Sequence, residues 1–160
     1  MKWKPVLAAC AVAVALCGSA AHAQSSCATP GNLSQLGSAI ASGLNQSRQS
    51  ASLRQLRPSG ALMTAAQAHA CDMSRNNFFD HRGSDGSDVR VRARRAGYRD
   101  CLIAENLAWG YPDPWQIISG WLASRAHRQN MMLGNVSEFG IGVAQGARGP
   151  IWVLVVARNC

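Results

Sequence analysis

Residues 139–157 read FGIGVAQGARGPIWVLVVA, and the fold turns on this stretch. Two apolar runs, Phe139 to Ala144 and Ile151 to Ala157, flank Gly146-Ala147-Arg148-Gly149-Pro150, whose glycines and proline suit a hairpin loop. Val153 to Val156 is apolar at every position, so that strand has no polar face. Side chains alternate across a sheet, so such a strand is central and covered on both faces.

Upstream of the hairpin the periodicity is helical. Leu33, Leu36, Ile40 and Leu44 predict a first helix with Asn32 as N-cap, ending before Pro58. Leu62, Ala65, Ala66, His69 and Met73 share one face of a second helix, from about Ala61 to Asn76. A third is expected from Asp88 to Ala96, with Ser87 as its cap and Gly97 as its stop. Ile103 to Trp109 reads as a strand. Asp113 and Pro114 open a fourth helix, with Trp115, Ile118, Trp121 and Leu122 on its apolar face, and His127 to Met132 adds a short turn. Helices mixed with mostly antiparallel strands predict an α+β layered domain. No internal repeat is present.

The N-terminus reads as a leader. Lys2 and Lys4 precede an apolar run from Val6 to Leu16, and Ala21-His22-Ala23 is an A-x-A cleavage signal. Residues 1–23 are thus expected to be a signal peptide and residues 24–160 a single domain. Eleven apolar residues are too few for a membrane span, which takes about 20. Leu7-Ala8-Ala9-Cys10 offers a competing lipoprotein reading. The remaining 137 residues suffice to bury about two-thirds of the unfolded surface. Both lysines leave with the leader, so every remaining basic residue is an arginine, fourteen against eight acids. Arg90, Arg92, Arg94, Arg95 and Arg99 are clustered. An exported basic chain tends toward anionic surfaces such as phospholipid headgroups or acidic wall polymers. The plainer reading of these arginines is a solvated helix face. No groove-reading motif points to nucleic acid.

Cys10 and Cys17 fall in the leader, leaving Cys27, Cys71, Cys101 and Cys160. An even count in an exported chain predicts two disulfides, with three connectivities open at this point. Without a C-x-x-C there is no zinc knuckle. Without a Gly-x-Ser-x-Gly elbow a serine hydrolase lacks its local frame.

Three ordered segments remain. They are Phe79-Asp80-His81 with Gly83-Ser84-Asp85-Gly86, then Ala104-Glu105-Asn106-Leu107-Ala108, then Trp121 to Met132 containing Ser124-Arg125-Ala126-His127. Followed by Ile141-Gly142-Val143 and a strand with Trp152, they resemble the bacterial branch of the CAP superfamily, the cysteine-rich secretory protein, antigen 5 and pathogenesis-related class, over about Leu44 to Arg158. The resemblance implies a three-layer α-β-α sandwich around a mainly antiparallel sheet. It also implies a cleft in which His81, Glu105 and His127 converge. The chain departs from the family pattern in three places. The second glutamate is absent, with Ser124 near its place; Ala104 replaces the usual glycine; and Ser124-Arg125-Ala126-His127 replaces a Ser-Pro-Gly-His run.

Two imidazoles beside a carboxylate suit zinc, so His81 and His127, with Glu105, form the candidate metal set, and the same three residues the candidate catalytic set. If His81 and Glu105 meet, the resemblance brings Cys71 toward Cys101 and leaves Cys27 for Cys160. The functional expectation is a monomeric module, exported to the periplasm or beyond the cell, that binds a lipid, a cell-wall polymer or a host surface. A zinc-assisted hydrolase is the alternative, and a scaffold with a vestigial cleft the second alternative. His69, on an apolar helix face, is expected to be a packed core histidine. Asn106 is expected to bridge backbone beside Glu105, Trp121 and Trp152 to pack between helix and sheet, and Trp109 and Tyr111 to pack in the core or to rim a cleft.

Overall fold

The computed structural model describes residues 27–160; the leader expected over residues 1–23, with its alternative lipoprotein site, lies outside them. In chain order the elements are α1 (Leu33–Ser50), β1 (Arg57–Pro58), α2 (Gly60–Asn76), α3 (Val89–Arg95), β2 (Asp100–Trp109), α4 (Pro114–Ala123), α5 (Arg125–Met131), β3 (Glu138–Gly146) and β4 (Gly149–Asn159). The sheet order is β1-β3-β4-β2. Both β4 pairings are antiparallel, and the two-residue β1 runs parallel to β3.

The central strand behaves as its composition requires. Trp152, Leu154 and Val156 of β4 pack with Ile40, Leu44, Ile118, Trp121 and Met131, on the side of α1, α4 and α5. Ile151, Val153, Val155 and Ala157 point the other way, into Leu62, Ala66, Ala70, Met73 and Ala93 of α2 and α3. The result is the expected α-β-α sandwich. Two of the β3 positions that face α2 are Gly140 and Gly142. A Cβ at Gly140 would stand 2.1 Å from the Leu62 carbonyl carbon, and one at Gly142 would stand 2.3 Å from that of Ala66. The backbone of α2 thus rests directly on the sheet, fixing the height of the loop that follows it.

Local signals are obeyed with small shifts. Asp113 caps α4 by accepting from the Trp115 N–H (2.9 Å), with Pro114 at the first turn. The cap of α3 is Asp88, not Ser87: its carboxylate accepts from the Val91 N–H at 2.8 Å. Ser87 lies one residue too early to reach that donor. The β3–β4 hairpin is tighter than five residues. Gly146 already pairs with Gly149, and Gly149 takes the positive φ of 106° that closes the turn. Trp121 and Trp152 are buried between helices and sheet, as expected.

The disulfides join Cys27 to Cys71 and Cys101 to Cys160, with Cα separations of 5.2 and 4.9 Å. This corrects the expected pairs Cys71–Cys101 and Cys27–Cys160. Register is the reason. Antiparallel β2 and β4 set Asp100 opposite Asn159 and Leu102 opposite Arg158, so Cys101 bulges out of the register next to Cys160 at the end of β4. Cys71 faces the opposite edge of the sheet, beside Gln67, whose amide bonds to β3 at Val143. There the N-terminal segment crosses, with Ala28 accepting from the Gln145 N–H at 2.7 Å.

Candidate functional site

Strand β2 is an edge strand; His81 meets Glu105 on it, and His127 is tied to it through its backbone carbonyl. Glu105 lies on its α2-facing side, and its side chain is only 3% exposed. His81 comes from the loop between α2 and α3. Its Nδ1 donates to Glu105 Oε1 at 2.8 Å, and its ring remains largely open to solvent. Because the carboxylate accepts, Nδ1 carries the proton and Nε2 is left for a ligand. His127 sits in α5 on the other face of the sheet and reaches the same edge. Burial lowers its pKa, and the charge of His81 lowers it further, so the two imidazoles are electrostatic neighbours. The hydrogen bond to Glu105 raises the pKa of His81 against the opposing pull of partial burial.

Each arm has its own anchor. The Asn106 amide donates to the His127 carbonyl at 3.0 Å, and Asn130 donates to the Glu105 carbonyl (3.1 Å) and to Asn106 Oδ1 (2.9 Å). Asn106 therefore has the bridging role expected of it. The Trp121 indole donates to the Leu107 carbonyl at 3.0 Å. Together these side chains occupy edge carbonyls of β2 that would otherwise invite a foreign strand. Fully buried Arg48 of α1 donates to the carbonyls of Met131 (2.6 Å) and Leu133 (3.0 Å), pinning the C-terminal end of α5.

Two residues of the site were not legible as such. Arg92 belongs to the arginine cluster, yet it is buried. It donates to Glu105 Oε2 (2.7 Å), to the His81 carbonyl (3.0 Å) and to the Ser87 carbonyl (2.8 Å). The available signal was spacing: Val89, Arg92, Ala93 and Ala96 fall at i, i+3, i+4, i+7, a single helix face. His69 is fully buried, as a core histidine should be, but it is not idle. Its Nε2 donates to the Asp80 carbonyl at 3.0 Å and lies 3.9 Å from Glu105 Oε1. Burial holds its pKa down, so the neutral form prevails. His69 and Arg92 thus grip the carbonyls of Asp80 and of His81, one from each of two successive peptide groups. The rest of the arginine cluster is partly consumed as well: Arg90 pairs with Asp100, and Arg95 with Asp85.

The donor set does not fit a three-ligand zinc centre. Both Glu105 oxygens are already held, one by a guanidinium and one by an imidazole. Among the described residues, no three His, Cys, Asp or Glu side chains are grouped as a metal ion requires. With one oxygen bonded to His81, the other to Arg92 and only 3% of the side chain exposed, Glu105 is poorly placed to reach a substrate as a general base.

Comparison with known proteins agrees with this architecture. Residues 42–156 match the model of the cysteine-rich secretory protein family, CAP. The uncharacterized protein YkwD of Bacillus subtilis is 29% identical over 108 residues, covering 68% of this chain and 41% of that protein. The uncharacterized membrane protein YlbC of the same species is 30% identical over 78 residues, covering 49% of this chain and 22% of that protein. The chain thus spans less than half the length of these curated relatives. Among solved structures, an outer surface protein from Borrelia burgdorferi superposes with a TM-score of 0.73 at 18% identity, covering 79% of this chain and 94% of that one. An extracellular SCP-domain protein from Bacillus anthracis gives 0.72 at 24% identity, covering 79% and 41%. Two disulfides and neighbours of extracellular or outer-surface origin are consistent with export. Among the described residues no helix is long and apolar enough to cross a membrane.

Proposed function

The chain belongs to the cysteine-rich secretory protein (CAP) family, and on that premise we propose that it is an exported envelope protein whose His81–Glu105–His127 cleft binds the anionic group of a lipid head or of a cell-wall polymer. The observation behind this reading is the charge balance of the site. Arg92 cancels Glu105 from the buried side, so a protonated His81 adds a net positive charge at the mouth, beside the second imidazole of His127. A phosphate or carboxylate arriving there meets His81 Nε2–H as a charge-assisted donor. Hydrolysis has weaker support, because the carboxylate is spoken for and the donor set does not fit zinc. A host surface presenting similar anions would be bound by the same chemistry.

The test is calorimetric titration of the mature, oxidised protein with phosphatidylglycerol vesicles and, separately, with a soluble anionic wall polymer, at pH 6 and pH 8. Binding to one of them that is tighter at pH 6, and that a folded His81→Gln/His127→Gln variant loses, supports the cleft and identifies the source of the anion. Equal binding by the double variant places recognition elsewhere and overturns the reading.

A further inference from the structure

We propose a second binding site, for a single sugar ring carrying a carbonyl oxygen, at the end of the sandwich where β2, α2 and the β3–β4 hairpin meet. A pocket of about 270 Å³ opens there, lined among others by Ser74, Asn77, Phe79, Trp109 and Arg148. That is just below the range of about 300–1,000 Å³ usual for drug-sized ligands, and it suits one ring. The pocket does not include His81, Glu105 or His127, so the proposal does not rest on the cleft.

Three features define the ligand. Trp109 and Phe79 stack with ring centroids 5.4 Å apart and planes 30° from parallel, and Phe79 remains 39% exposed. An exposed aromatic face beside a pocket accepts the apolar C–H face of a pyranose. The Arg148 guanidinium lies over the Trp109 ring at 4.6 Å, which holds a flexible cation in place at the rim. The third feature is the Trp109 indole N–H. Nε1 is buried, and among the described residues nothing accepts from it. A buried donor without an acceptor is costly, and most such groups in folded proteins find one. Trp121 and Trp152 follow that rule, donating to the carbonyls of Leu107 and Tyr111. Trp109 is the exception, and it is the tryptophan that lines the pocket. The ligand therefore combines a hydrocarbon ring face for Phe79 with a carbonyl oxygen, from an acetamido or carboxylate group, for the guanidinium; the indole N–H, closed to solvent as it stands, takes such an oxygen only once a side chain over it shifts. Acidic and N-acetylated sugars have this chemistry.

The experiment follows the side-chain indole resonances of the ¹⁵N-labelled mature protein by NMR, with the Trp109 signal assigned by its loss in Trp109→Phe. The probes are chitotriose, which offers acetamido carbonyls, trigalacturonate, which offers carboxylates, and cellotriose, which offers neither. Saturable movement of the Trp109 signal with at least one of the first two, and not with cellotriose, is expected, and it names the carbonyl source. Arg148→Gln should weaken the carboxylate probe about tenfold, the loss of one charge-assisted contact. His127→Gln, on the other face of the sheet, should leave the shift unchanged, which separates this site from the cleft. A Trp109 signal that stays fixed with both carbonyl-bearing probes at millimolar concentration, or that moves equally with cellotriose, overturns the proposal.

Discussion

Replacing Arg92 by methionine tests the core of the site. The substitution keeps the length and apolar stem of the side chain but removes bonds to Glu105, to the His81 carbonyl and to the Ser87 carbonyl. It strands a carboxylate that is 3% exposed. Breaking a buried ion pair from one side costs about 3–5 kcal/mol. Domains of this size are stable by about 5–15 kcal/mol, so the loss is a large fraction of the total. On the entropy scale of small domains it lowers Tm by roughly 10–20 °C. The cost is pH-dependent. Above its raised pKa His81 is neutral and Glu105 has no remaining cation beside it. At pH 5.5 an imidazolium sits on Oε1 and offsets about 1 kcal/mol, a modest amount because the ring is largely exposed to solvent. Urea unfolding of wild type and Arg92→Met at both pH values measures this difference. A loss below about 1 kcal/mol at pH 8, or a loss no smaller at pH 5.5, would refute the claim that Glu105 depends on Arg92.

Titrating His81 by NMR should give a folded pKa above its ordinary value of about 6.5, falling back in Glu105→Gln. A raised folded pKa means that the His81 contribution to stability is full below about 6.5 and fades as pH rises through the folded value. His69 runs the other way: its depressed pKa gives stability that is present above about 6.5 and lost as pH falls, so His69→Gln should flatten the acid limb of the stability profile. Peptide mapping without reductant should recover Cys27 with Cys71 and Cys101 with Cys160. Removing the second bridge, which spans 59 residues of sequence, should cost about 2–5 kcal/mol in urea unfolding. Gly142→Val should destabilise by about 3 kcal/mol, the upper end for overpacking, because its Cβ meets backbone that cannot give way without lifting α2; an unchanged denaturation midpoint would show that α2 is not seated as described.

What the sequence revealed and what it concealed divide along a physical line. A layered domain around a two-sided central strand was legible because β4 is apolar on both faces and because α1, α2 and α4 carry clear periodicity, with a side-chain cap on α4; these are local patterns, and the α-β-α order came with the family resemblance. The disulfide pairing was not legible, because it depends on which sheet edge each cysteine faces. Cys71 and His81 are ten residues apart, but the helix presents Cys71 to β3 while the loop carries His81 to β2 at the opposite edge. Arg92 was hidden by its neighbours. In a run of five arginines within ten residues, composition suggests a solvated face, and only the i, i+3, i+4 relation to Val89 and Ala93 sets one of them apart.

The loop from Phe79 to His81 shows why these hidden residues matter most. It follows the outer half of β2 in the opposite direction, so that His81 meets Glu105 and Phe79 meets Trp109, four positions further along the same strand face. Such a segment has no ladder of its own, and its ordering cost must be offset by side chains. His69 holds the Asp80 carbonyl, Arg92 holds the His81 carbonyl, and Asp80 Oδ1 accepts from the Arg82 N–H at 2.7 Å. The two buried anchors stand on α2 and α3, and α2 is seated on glycines of the sheet. The position of His81 is therefore imposed from the dry side of the sandwich by buried residues. Substitutions at Gly140, Gly142, His69 or Arg92 should alter recognition at His81 as surely as changing His81 itself.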